Sequence, residues 1–420
     1  MLFLGIDFGT SGARAIVIDE NEEIITETNY LFSQYKTHNL AKQWQDTLSI
    51  LLSQISLNVR QKIGVIAING TSSTVLLCDP KGKPIDEPIL YNDSRAITVL
   101  ESFKSVIPKN HLVNSATSSL VKLLWWYDTP QFEQGCYFLH QADWLGFLLH
   151  GQLGISDYHN ALKLGYDVEN LCYPDWLQSL PISSILPQVL PPGTPVETVT
   201  NDIVKQFNFD KNCLVCTGTT DSIAAFLASG VNTPGEGVTS LGSTLVLKLL
   251  SNTYVQDISS GVYSHRLGNL WLTGGASNTG GAVLKHFFTD KELEELSREI
   301  KVNEPTNLDY YPLLKTGERF PINNSNLEPK LAPIPDNKVE FLQGLLESMA
   351  KIEALGYEKL QALGATPVTQ VYTAGGGAKN KNWTKIRKHY LKVPVKISPH
   401  TEAAYGTALL AKRSQDKSIN

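Results

Sequence analysis

A carboxylate, several glycines and two hydroxyls stand close together in residues 4–12, which read LGIDFGTSG. An apolar run ends at Asp7, and the glycine-rich turn after it carries Thr10 and Ser11. Glycine lets backbone N–H groups approach an oxyanion closely, and either hydroxyl can donate to it. A carboxylate in the position of Asp7 can hold Mg²⁺ through water beside bound phosphate. An ordinary β-hairpin with a glycine turn explains the segment equally well.

A second stretch of the same kind favours the phosphate interpretation. Residues 239–244 read TSLGST and precede an apolar run, so Gly242, Ser243 and Thr244 occupy a turn between two strands. Neither stretch is the strand–loop–helix phosphate loop, because no GxxxxGK[ST] occurs in the sequence. Two such hairpins indicate a duplicated fold whose halves hold a polyphosphate from opposite sides.

The composition is that of an ordinary globular protein of two or three domains, with 420 residues of which 18% are charged. The net charge of −5 argues against a nucleic-acid partner, which would need a basic face. We see no signal peptide and no apolar run near the ~20 residues that span a bilayer, so we expect a cytoplasmic protein without a membrane partner. Cys213 and Cys216 lie in an apolar run, which favours buried strand thiols over a zinc site.

Hydrophobic periodicity predicts alternating strands and helices. Strands are predicted at residues 2–6, 13–18, 23–29, 63–68, 214–216, 239–250 (as a hairpin) and 370–373. Helices are predicted at residues 39–61, from 222, at 380–390 and at 401–412, and residues 414–420 are expected to fray. The polar loop 70–74 follows the strand at 63–68, and ligands often bind at such strand ends in α/β sheets.

Two further groups of residues follow predicted strands. Asp221 opens a helix, whose N–H groups and dipole would keep it ionised, although a simple helix cap suits the same position. The glycines at 375–377 would let an adenosine lie against the backbone. Asn380 and Trp383 share one face of the next helix, so Trp383 could stack on adenine and Asn380 could hydrogen-bond to it. A tryptophan packed in the domain core is equally compatible with the sequence.

Several of these stretches occur together in the order of a known family. They are residues 5–11 (GIDFGTS), 240–244 (SLGST), 375–380 (GGGAKN) and 402–408 (EAAYGTA), supported by 92–95 (NDSR), 157–161 (DYHNA), 278–281 (NTGG) and 317–319 (GER). These stretches are distributed over nearly the whole chain, and through them the chain resembles the FGGY carbohydrate kinases. The resemblance implies an α/β protein with the duplicated ribonuclease-H-like (actin/hexokinase-type ATPase) fold, two domains around a cleft. It implies a sugar-binding and catalytic domain at 1–228 plus 402–420 and a nucleotide-binding domain at 229–401.

The activity that the resemblance implies is phosphorylation of a sugar hydroxyl, with ATP and Mg²⁺ as cofactors. Asp221 would accept the hydroxyl proton, and Asp7 would organise Mg²⁺ through water. The implied contacts are Thr10, Ser11, Gly242, Ser243 and Thr244 for phosphate; Gly375, Gly376, Gly377, Asn380 and Trp383 for the nucleotide; and Asp7, Ser72 and Asp221 for the sugar.

Within the family the chain is most similar to short xylulokinase-like enzymes of cyanobacteria and plants that prefer D-ribulose. Its loop 70–74 reads GTSST, unlike the Gln-Met-His-Gly loop of xylulokinases or the Arg-Glu pair of glycerol kinases. We therefore expect D-ribulose as the acceptor, with D-xylulose, another polyol or a weakly active actin-like ATPase as alternatives. The reduced second half suggests detectable ATP hydrolysis without sugar. A monomer or homodimer with a small-molecule substrate is expected.

Eight other polar residues are expected to have weaker or structural roles: Asp93, Arg95, Asp157, Lys122, Lys163, His140, His150 and His159. The two aspartates and the arginine could contact the sugar or belong to structural ion pairs and turns. The two lysines are expected to be solvated. The three histidines lack the spacing of a metal site and are expected to be structural or surface residues.

Overall fold

The computed structural model describes residues 1–34, 39–103 and 105–415, and the chain divides into two compact units. The first unit comprises Met1–Ala228 and Glu402–Asn420, and the second comprises Ser229–Thr401. The strands are β1 (Leu2–Phe8), β2 (Gly12–Ile18), β3 (Ile24–Leu31), β4 (Ile63–Gly70), β5 (Val75–Cys78), β6 (Tyr137–His140), β7 (Ile155–Asp157), β8 (Gln188–Leu190), β9 (Pro195–Thr198), β10 (Leu214–Cys216), β11 (Thr219–Thr220), β12 (Glu236–Leu241), β13 (Leu245–Ser251), β14 (Tyr263–Leu267), β15 (Leu270–Ser277), β16 (Gln370–Ala374) and β17 (Val395–Ile397). The helices are α1 (Leu40–Gln54), α2 (Leu57–Arg60), α3 (Ile97–Phe103), α4 (Ser119–Tyr127), α5 (Gln141–His150), α6 (Tyr158–Ala161), α7 (Asp175–Gln178), α8 (Asn201–Phe207), α9 (Asp221–Ala228), α10 (Gly281–Phe287), α11 (Asp290–Glu299), α12 (Lys338–Ala362), α13 (Lys381–Leu391) and α14 (Ala403–Arg413).

The first unit is built on a seven-stranded sheet in the order β3-β2-β1-β4-β10-β9, with β11 also paired to β4. β1 is antiparallel to β2 and parallel to β4, and β4 is parallel to both β10 and β11. The apolar strands β1 and β4 lie in the middle, as their mostly buried side chains require. The carboxyl ends of β1, β4 and β11 therefore meet at one edge of the sheet.

Helix α14 returns the chain to the first unit and packs directly on β1. A Cβ atom on Gly5 of β1 would overlap the backbone of Ala404 and Ala408, and one on Gly406 would overlap the backbone of Ala224 in α9. Close helix packing therefore explains the small residues of the EAAYGTA stretch.

The second unit repeats this topology in a six-stranded sheet, in the order β14-β15-β13-β12-β16-β17. β12 is antiparallel to β13 and parallel to β16, as β1 is to β2 and β4. β13 is antiparallel to β15, as β2 is to β3. The expected duplication of a three-stranded meander followed by a crossover to a parallel strand is confirmed.

The structure corrects one predicted helix and agrees with other local expectations. The helix predicted over 39–61 is two helices, because Ile55 and Ser56 are extended and α2 begins at Leu57. Cys213 and Cys216 are buried free thiols, as expected. Among the described helices, each is too short or too polar to span a bilayer. The tail expected to fray lies mostly outside the described residues.

Candidate active site

A row of polar residues crosses the sheet of the first unit at the carboxyl ends of its parallel strands. By strand register, Arg14 pairs with Asp7, Asp7 with Asn69, and Asn69 with Thr219. Residues paired in this way on neighbouring strands project from the same face of the sheet. Asp221 follows Thr219 by two residues and begins α9. The fold therefore brings two carboxylates that are distant in sequence to one edge.

The electrostatic surroundings of Asp7 are unusual for an aspartate. Burial raises the pKa of Asp7 from 3.8 to about 7, and the carboxylates of Asp221 and Glu402 act in the same direction. Arg14 and Asn69 lower this pKa, by charge and by hydrogen bonding. Arg14 is itself paired with Glu402, the residue that precedes α14. Asp7 thus sits where further positive charge would be stabilising.

Two buried oxygens of this row lack a hydrogen-bond partner within the described residues: Oδ1 of Asp7 and Oδ1 of Asn69. The amide of Asn69 is fixed, because its Nδ2 donates to Thr407 Oγ1 at 2.6 Å. Oxygen acceptors of this kind suit Mg²⁺, which is commonly held by one or two carboxylates with waters and phosphates. Among the described residues, no group of three His, Cys, Asp or Glu is placed so that it could hold a metal ion by itself, and such a group is unnecessary for this mode of binding. The residues present therefore fit Mg²⁺.

Asp221 is the half-buried first residue of α9. Its Oδ1 accepts a hydrogen bond of 2.7 Å from the N–H of Ser222. The strand β11, just before α9, is paired to β4 and so places the start of this helix at the same edge of the sheet. A helix N-terminus stabilises negative charge, and the Asp221 carboxylate lies at one.

The turn between β1 and β2 exposes amide and hydroxyl donors. The N–H of Gly9 donates to the carbonyl of Gly12 at 3.0 Å and closes the turn. Thr10 and Ser11 are exposed, and their backbone N–H groups donate to no described residue. Such a turn can receive a phosphate oxygen.

The loop 70–74 after β4 holds the half-buried Ser72 between buried neighbours. The N–H and the hydroxyl of Thr71 both donate to Gln141 Oε1, at 3.0 and 3.1 Å. Ser73 has a φ of 66°, in the left-handed region that non-glycine residues seldom adopt. The backbone on both sides of Ser72 is therefore held in a defined and unusual conformation.

Lys122 is buried, which contradicts the expectation that it is solvated. Its side chain is 0% exposed, and its Nζ donates to the carbonyls of Ser73 and Leu90 at 2.8 and 2.7 Å. Burial lowers the pKa of Lys122 to about 7. Lys163 is half-buried rather than fully solvated. The burial of these two lysines was not predicted from the sequence, because lysine is rarely buried.

Asp93 and Arg95 form a partly exposed ion pair at 2.6 Å within one turn. The guanidinium of Arg95 also lies over the ring of Trp125, 5.5 Å from its centroid. These contacts match the structural ion pair that the sequence left open for the two residues.

Asp157 and the histidines form part of the buried interior. Asp157 caps α6 by accepting the N–H of His159 at 2.8 Å, and burial raises the pKa of Asp157. The Nδ1 atom of His159 lies 2.7 Å from Thr219 Oγ1 and so supports the strand that leads to Asp221. His140 and His150 are buried too, so the structural interpretation of the histidines holds and the surface one is wrong.

The turn between β12 and β13 in the second unit resembles the first turn. The N–H of Gly242 donates to the carbonyl of Thr244 at 3.2 Å, and the N–H groups of Ser243 and Thr244 donate to no described residue. The carbonyls of Gly242 and Ser243 accept the N–H groups of Gly281 and Ala282 at 2.8 and 3.1 Å, which fixes the turn against the start of α10.

The glycine loop 375–377 after β16 lies close to the end of β12. Gly375 has a φ of 81°, and a Cβ there would come within 2.7 Å of the carbonyl oxygen of Leu241. Gly376 faces open space. A cavity of about 1240 Å³ beside the loop is large enough for a nucleotide. Its lining includes Gly242, Ser243, Gly376, Gly377, Leu284 and Leu293.

Asn380 and Trp383 also line this cavity, and both make structural contacts in the second unit. The Oδ1 of Asn380 accepts the N–H of Trp383 at 2.9 Å, and its Nδ2 donates to Ser297 Oγ at 2.8 Å. Trp383 is 3% exposed and packs in the core, with Gly377 against its ring. The burial of Trp383 agrees with the core interpretation of this residue, and its stacking on adenine stays a prediction.

A buried charge network lies behind the two loops of the second unit. The Nε and Nη2 atoms of Arg387 donate to Glu353, and its Nη1 donates to Thr373 Oγ1, each at 2.6 Å. The hydroxyl of Thr239 donates to Glu353 Oε1 at 2.5 Å and lies 2.9 Å from the hydroxyl of Tyr357. Thr239 and Thr373 are paired in register on β12 and β16. The network therefore fixes the two strands that carry the loops.

The supporting stretches at Asn278 and Glu318 meet in the second unit. Glu318 is 2% exposed and accepts the N–H of Asn278 at 2.7 Å. The Nδ2 of Asn278 donates to the carbonyl of Gly317 at 2.9 Å, and its Oδ1 accepts Arg319 Nε at 2.7 Å. These bonds anchor the segment that leads into α10. Because the turn 242–244 is hydrogen-bonded to the start of α10, they also stabilise that turn.

Sequence reasoning missed Arg14, Asn69 and Glu402, which surround Asp7. Asn69 could have been identified from the sequence, because it is the polar residue that ends an otherwise apolar run. Residues 68–73 read INGTSS, where further aliphatic residues would continue a buried strand. The hairpin register also places Arg14 opposite Asp7. Glu402 could not be found in this way, because its position depends on the return of α14 to the first unit.

Known protein families and structures match this chain over nearly its whole length. Residues 2–228 match the N-terminal domain and residues 237–414 the C-terminal domain of the FGGY family of carbohydrate kinases. The chain is 21% identical to a xylulose kinase of Staphylococcus xylosus (97% of this chain, 90% of that protein) and 24% identical to a glycerol kinase of Bacillus cytotoxicus (97% and 89%). A solved xylulose kinase from Rhodospirillum rubrum, 19% identical, superposes with a TM-score of 0.85 over 100% of this chain and 91% of that one. The chain belongs to the FGGY family of carbohydrate kinases, phosphotransferases that use ATP as the phosphate donor.

Proposed function

We propose that the protein transfers the γ-phosphoryl group of ATP to a terminal hydroxyl of a ketopentose, namely D-ribulose, to give D-ribulose 5-phosphate. The observation that carries the phosphoryl-transfer part is that Asp7 and Asp221 lie at the ends of β1 and β11, the two strands that pair with β4 at this edge, beside an exposed turn rich in N–H donors. The choice of D-ribulose is supported by the loop 70–74, whose GTSST sequence differs from the loops of xylulose and glycerol kinases.

Asp221 is the proposed general base. Its place at the start of α9 favours the carboxylate, which can accept the proton of the attacking hydroxyl. Ser72 and Asp7 are the proposed partners of other sugar hydroxyls. Ser72 is suited to this role because its loop is braced on both sides while its own side chain remains half-exposed.

Asp7 and Asn69 are the proposed supports of Mg²⁺, through their unpartnered oxygens and an intervening water. Bound Mg²⁺ would neutralise charge on the phosphate groups during transfer. Thr10 and Ser11 are proposed to donate to phosphate oxygens from the first unit. Asp7 would then be held as a carboxylate by the cation, despite the burial that favours its protonated form.

The second unit is proposed to bind the nucleotide. The N–H groups of Ser243 and Thr244 are available to phosphate, and the backbone of Gly375 to Gly377 offers a surface without side chains. Apolar residues of the cavity, such as Leu284 and Leu293, are proposed to contact the base together with Trp383, which also lines the cavity. Asn380 supports this site by capping α13.

The test is ADP release by the purified protein with ATP and Mg²⁺, across D-ribulose, D-xylulose, L-ribulose, glycerol and gluconate. We expect the highest kcat/KM with D-ribulose and a product phosphorylated at the terminal carbon. A higher kcat/KM with D-xylulose or glycerol would replace the proposed acceptor. ADP release that no acceptor accelerates would instead favour the actin-like ATPase alternative.

A further inference from the structure

Lys122 is a fully buried cation that the proposed mechanism does not use. It lies in α4, among apolar neighbours, and its side chain is 0% exposed. A buried amine is costly unless its N–H groups are hydrogen-bonded. Its two acceptors are the backbone carbonyls of Ser73 and Leu90, at 2.8 and 2.7 Å.

These two carbonyls belong to segments that run side by side next to the proposed sugar-binding loop. Val75 and Ile89 exchange backbone hydrogen bonds at 3.0 Å, and the N–H of Tyr91 donates to Thr74 Oγ1 at 3.0 Å. Lys122 therefore links the end of the loop 70–74 to the segment around Leu90. Ser73, whose carbonyl it holds, directly follows Ser72.

The conformation at Ser73 needs such a support. Its φ of 66° is unfavourable for a residue with a side chain, and the Oγ atom of this buried residue has no hydrogen-bond partner within the described residues. The lysine contact satisfies the carbonyl that this turn directs into the protein. Without it, an unpaired buried carbonyl would favour a different backbone path beside Ser72.

The charges around Lys122 leave this link intact in either protonation state. Burial lowers the pKa of Lys122 to about 7; Asp93 raises it, while Lys163 and Arg95 lower it. A neutral amine still has two N–H donors, which matches the two carbonyl acceptors observed. Hydrogen bonding to the loop, rather than net charge, is therefore the relevant property.

We propose that Lys122 is a positioning residue for the acceptor, which holds the Ser72 loop in its sugar-binding conformation through the carbonyl of Ser73. This inference rests on the proposed role of Ser72. It assigns Lys122 an effect on sugar affinity and leaves nucleotide affinity unchanged, because its two acceptors, the carbonyls of Ser73 and Leu90, belong to none of the residues proposed to bind phosphate, nucleotide or Mg²⁺.

The test compares K122M, K122Q and K163M with the wild-type enzyme. Methionine keeps the volume of the side chain and removes its donors, whereas glutamine keeps N–H donors on a shorter chain. K163M removes a neighbouring positive charge and leaves the two carbonyl contacts in place. We expect the KM for sugar to rise at least about tenfold in K122M and less in K122Q, with the KM for ATP within twofold in both and both KM values near wild type in K163M.

Three outcomes would overturn the inference. They are an unchanged sugar KM in K122M, an equal rise of both KM values, and a K163M effect as large as that of K122M. If K122M cannot be recovered folded, K122L, which also lacks donors, replaces it, and an unchanged sugar KM in K122L overturns the inference. Failure of the proposed function is distinguishable, because the wild-type enzyme itself would then show no acceptor-dependent turnover.

Discussion

The ends of β1 in the first unit and β12 in the second occupy equivalent places in the two sheets but handle charge in opposite ways. Each strand lies between an antiparallel and a parallel neighbour and leads into a glycine turn with N–H groups that donate to none of the described residues. β1 carries Asp7, with a buried oxygen that lacks a partner in the described residues. β12 carries Thr239, whose hydroxyl joins the complete Arg387–Glu353 network.

This contrast indicates which part of the duplicated fold is suited to the proposed reaction. An incompletely paired carboxylate raises the energy of the folded protein and is useful only if a ligand completes its contacts. A fully paired buried ion pair offers nothing to a ligand and instead fixes the strands around it. The same topology therefore provides the edge where we propose the reaction, the reactive edge, in one unit and a rigid support in the other.

The largest effect should follow from removing the proposed base at the reactive edge. Asp221→Asn should reduce kcat by about 10²–10⁴-fold with little change in the melting temperature, since a carboxylate base contributes on that scale. Steady-state ADP release measures the loss. The matched control is Asp202→Asn, which alters an exposed aspartate in the first turn of another helix of the same unit. A kcat for Asp221→Asn within threefold of wild type would remove the proposed base.

Breaking the support in the second unit should cost stability. Arg387→Met leaves Glu353 buried and unpaired, and such changes cost about 3–5 kcal/mol. Replacing both residues by apolar ones of similar size should recover most of this loss. Chemical denaturation measures the free energy of unfolding, with Lys42→Met, which breaks a partly exposed ion pair with Asp46, as the control. Equal losses in the Arg387 and Lys42 variants would contradict the contrast between the units.

The pH dependence of stability should identify Asp7 as the unsatisfied group. Because its pKa is raised in the folded state, its contribution to stability is present below about pH 4 and is lost as the pH rises to about 7. Without divalent cations, Asp7→Asn should equal wild type near pH 4 and be more stable above pH 7, by at most about 4 kcal/mol at ~1.4 kcal/mol per pH unit. Melting temperatures between pH 4 and 8 measure this. A constant difference across that range would mean that the Asp7 carboxyl is not perturbed.

The smallest effect tests the nucleotide loop with two adjacent glycines. Gly375→Ala must place a Cβ at a φ of 81° and within 2.7 Å of the Leu241 carbonyl oxygen, whereas Gly376→Ala enters open space. A local strain of about 1–3 kcal/mol should raise the KM for ATP several-fold in Gly375→Ala, with Gly376→Ala within twofold of wild type. Equal KM values in the two variants would contradict the strained approach of this loop to β12.

Much of the fold could be predicted because its signals are local. The apolar runs and glycine turns identified β1, β4, β10, β12, β13 and β16 to within a few residues. The second hairpin correctly indicated duplication, since two similar turns so far apart are a repeated pattern. The break between α1 and α2 was missed, because the apolar periodicity continues through Ile55 although the backbone does not.

The pattern of residues determined the family, the two glycine turns and the presence of Asp7 and Asp221 at strand ends, because strand periodicity and turn chemistry act over a few neighbouring residues. Only the tertiary structure decided that Lys122 is buried beneath the Ser72 loop, that Trp383 belongs to the core, and that Glu402 approaches Asp7. Burial and the pairing of distant charges depend on how whole elements pack, and no short window of sequence contains that information.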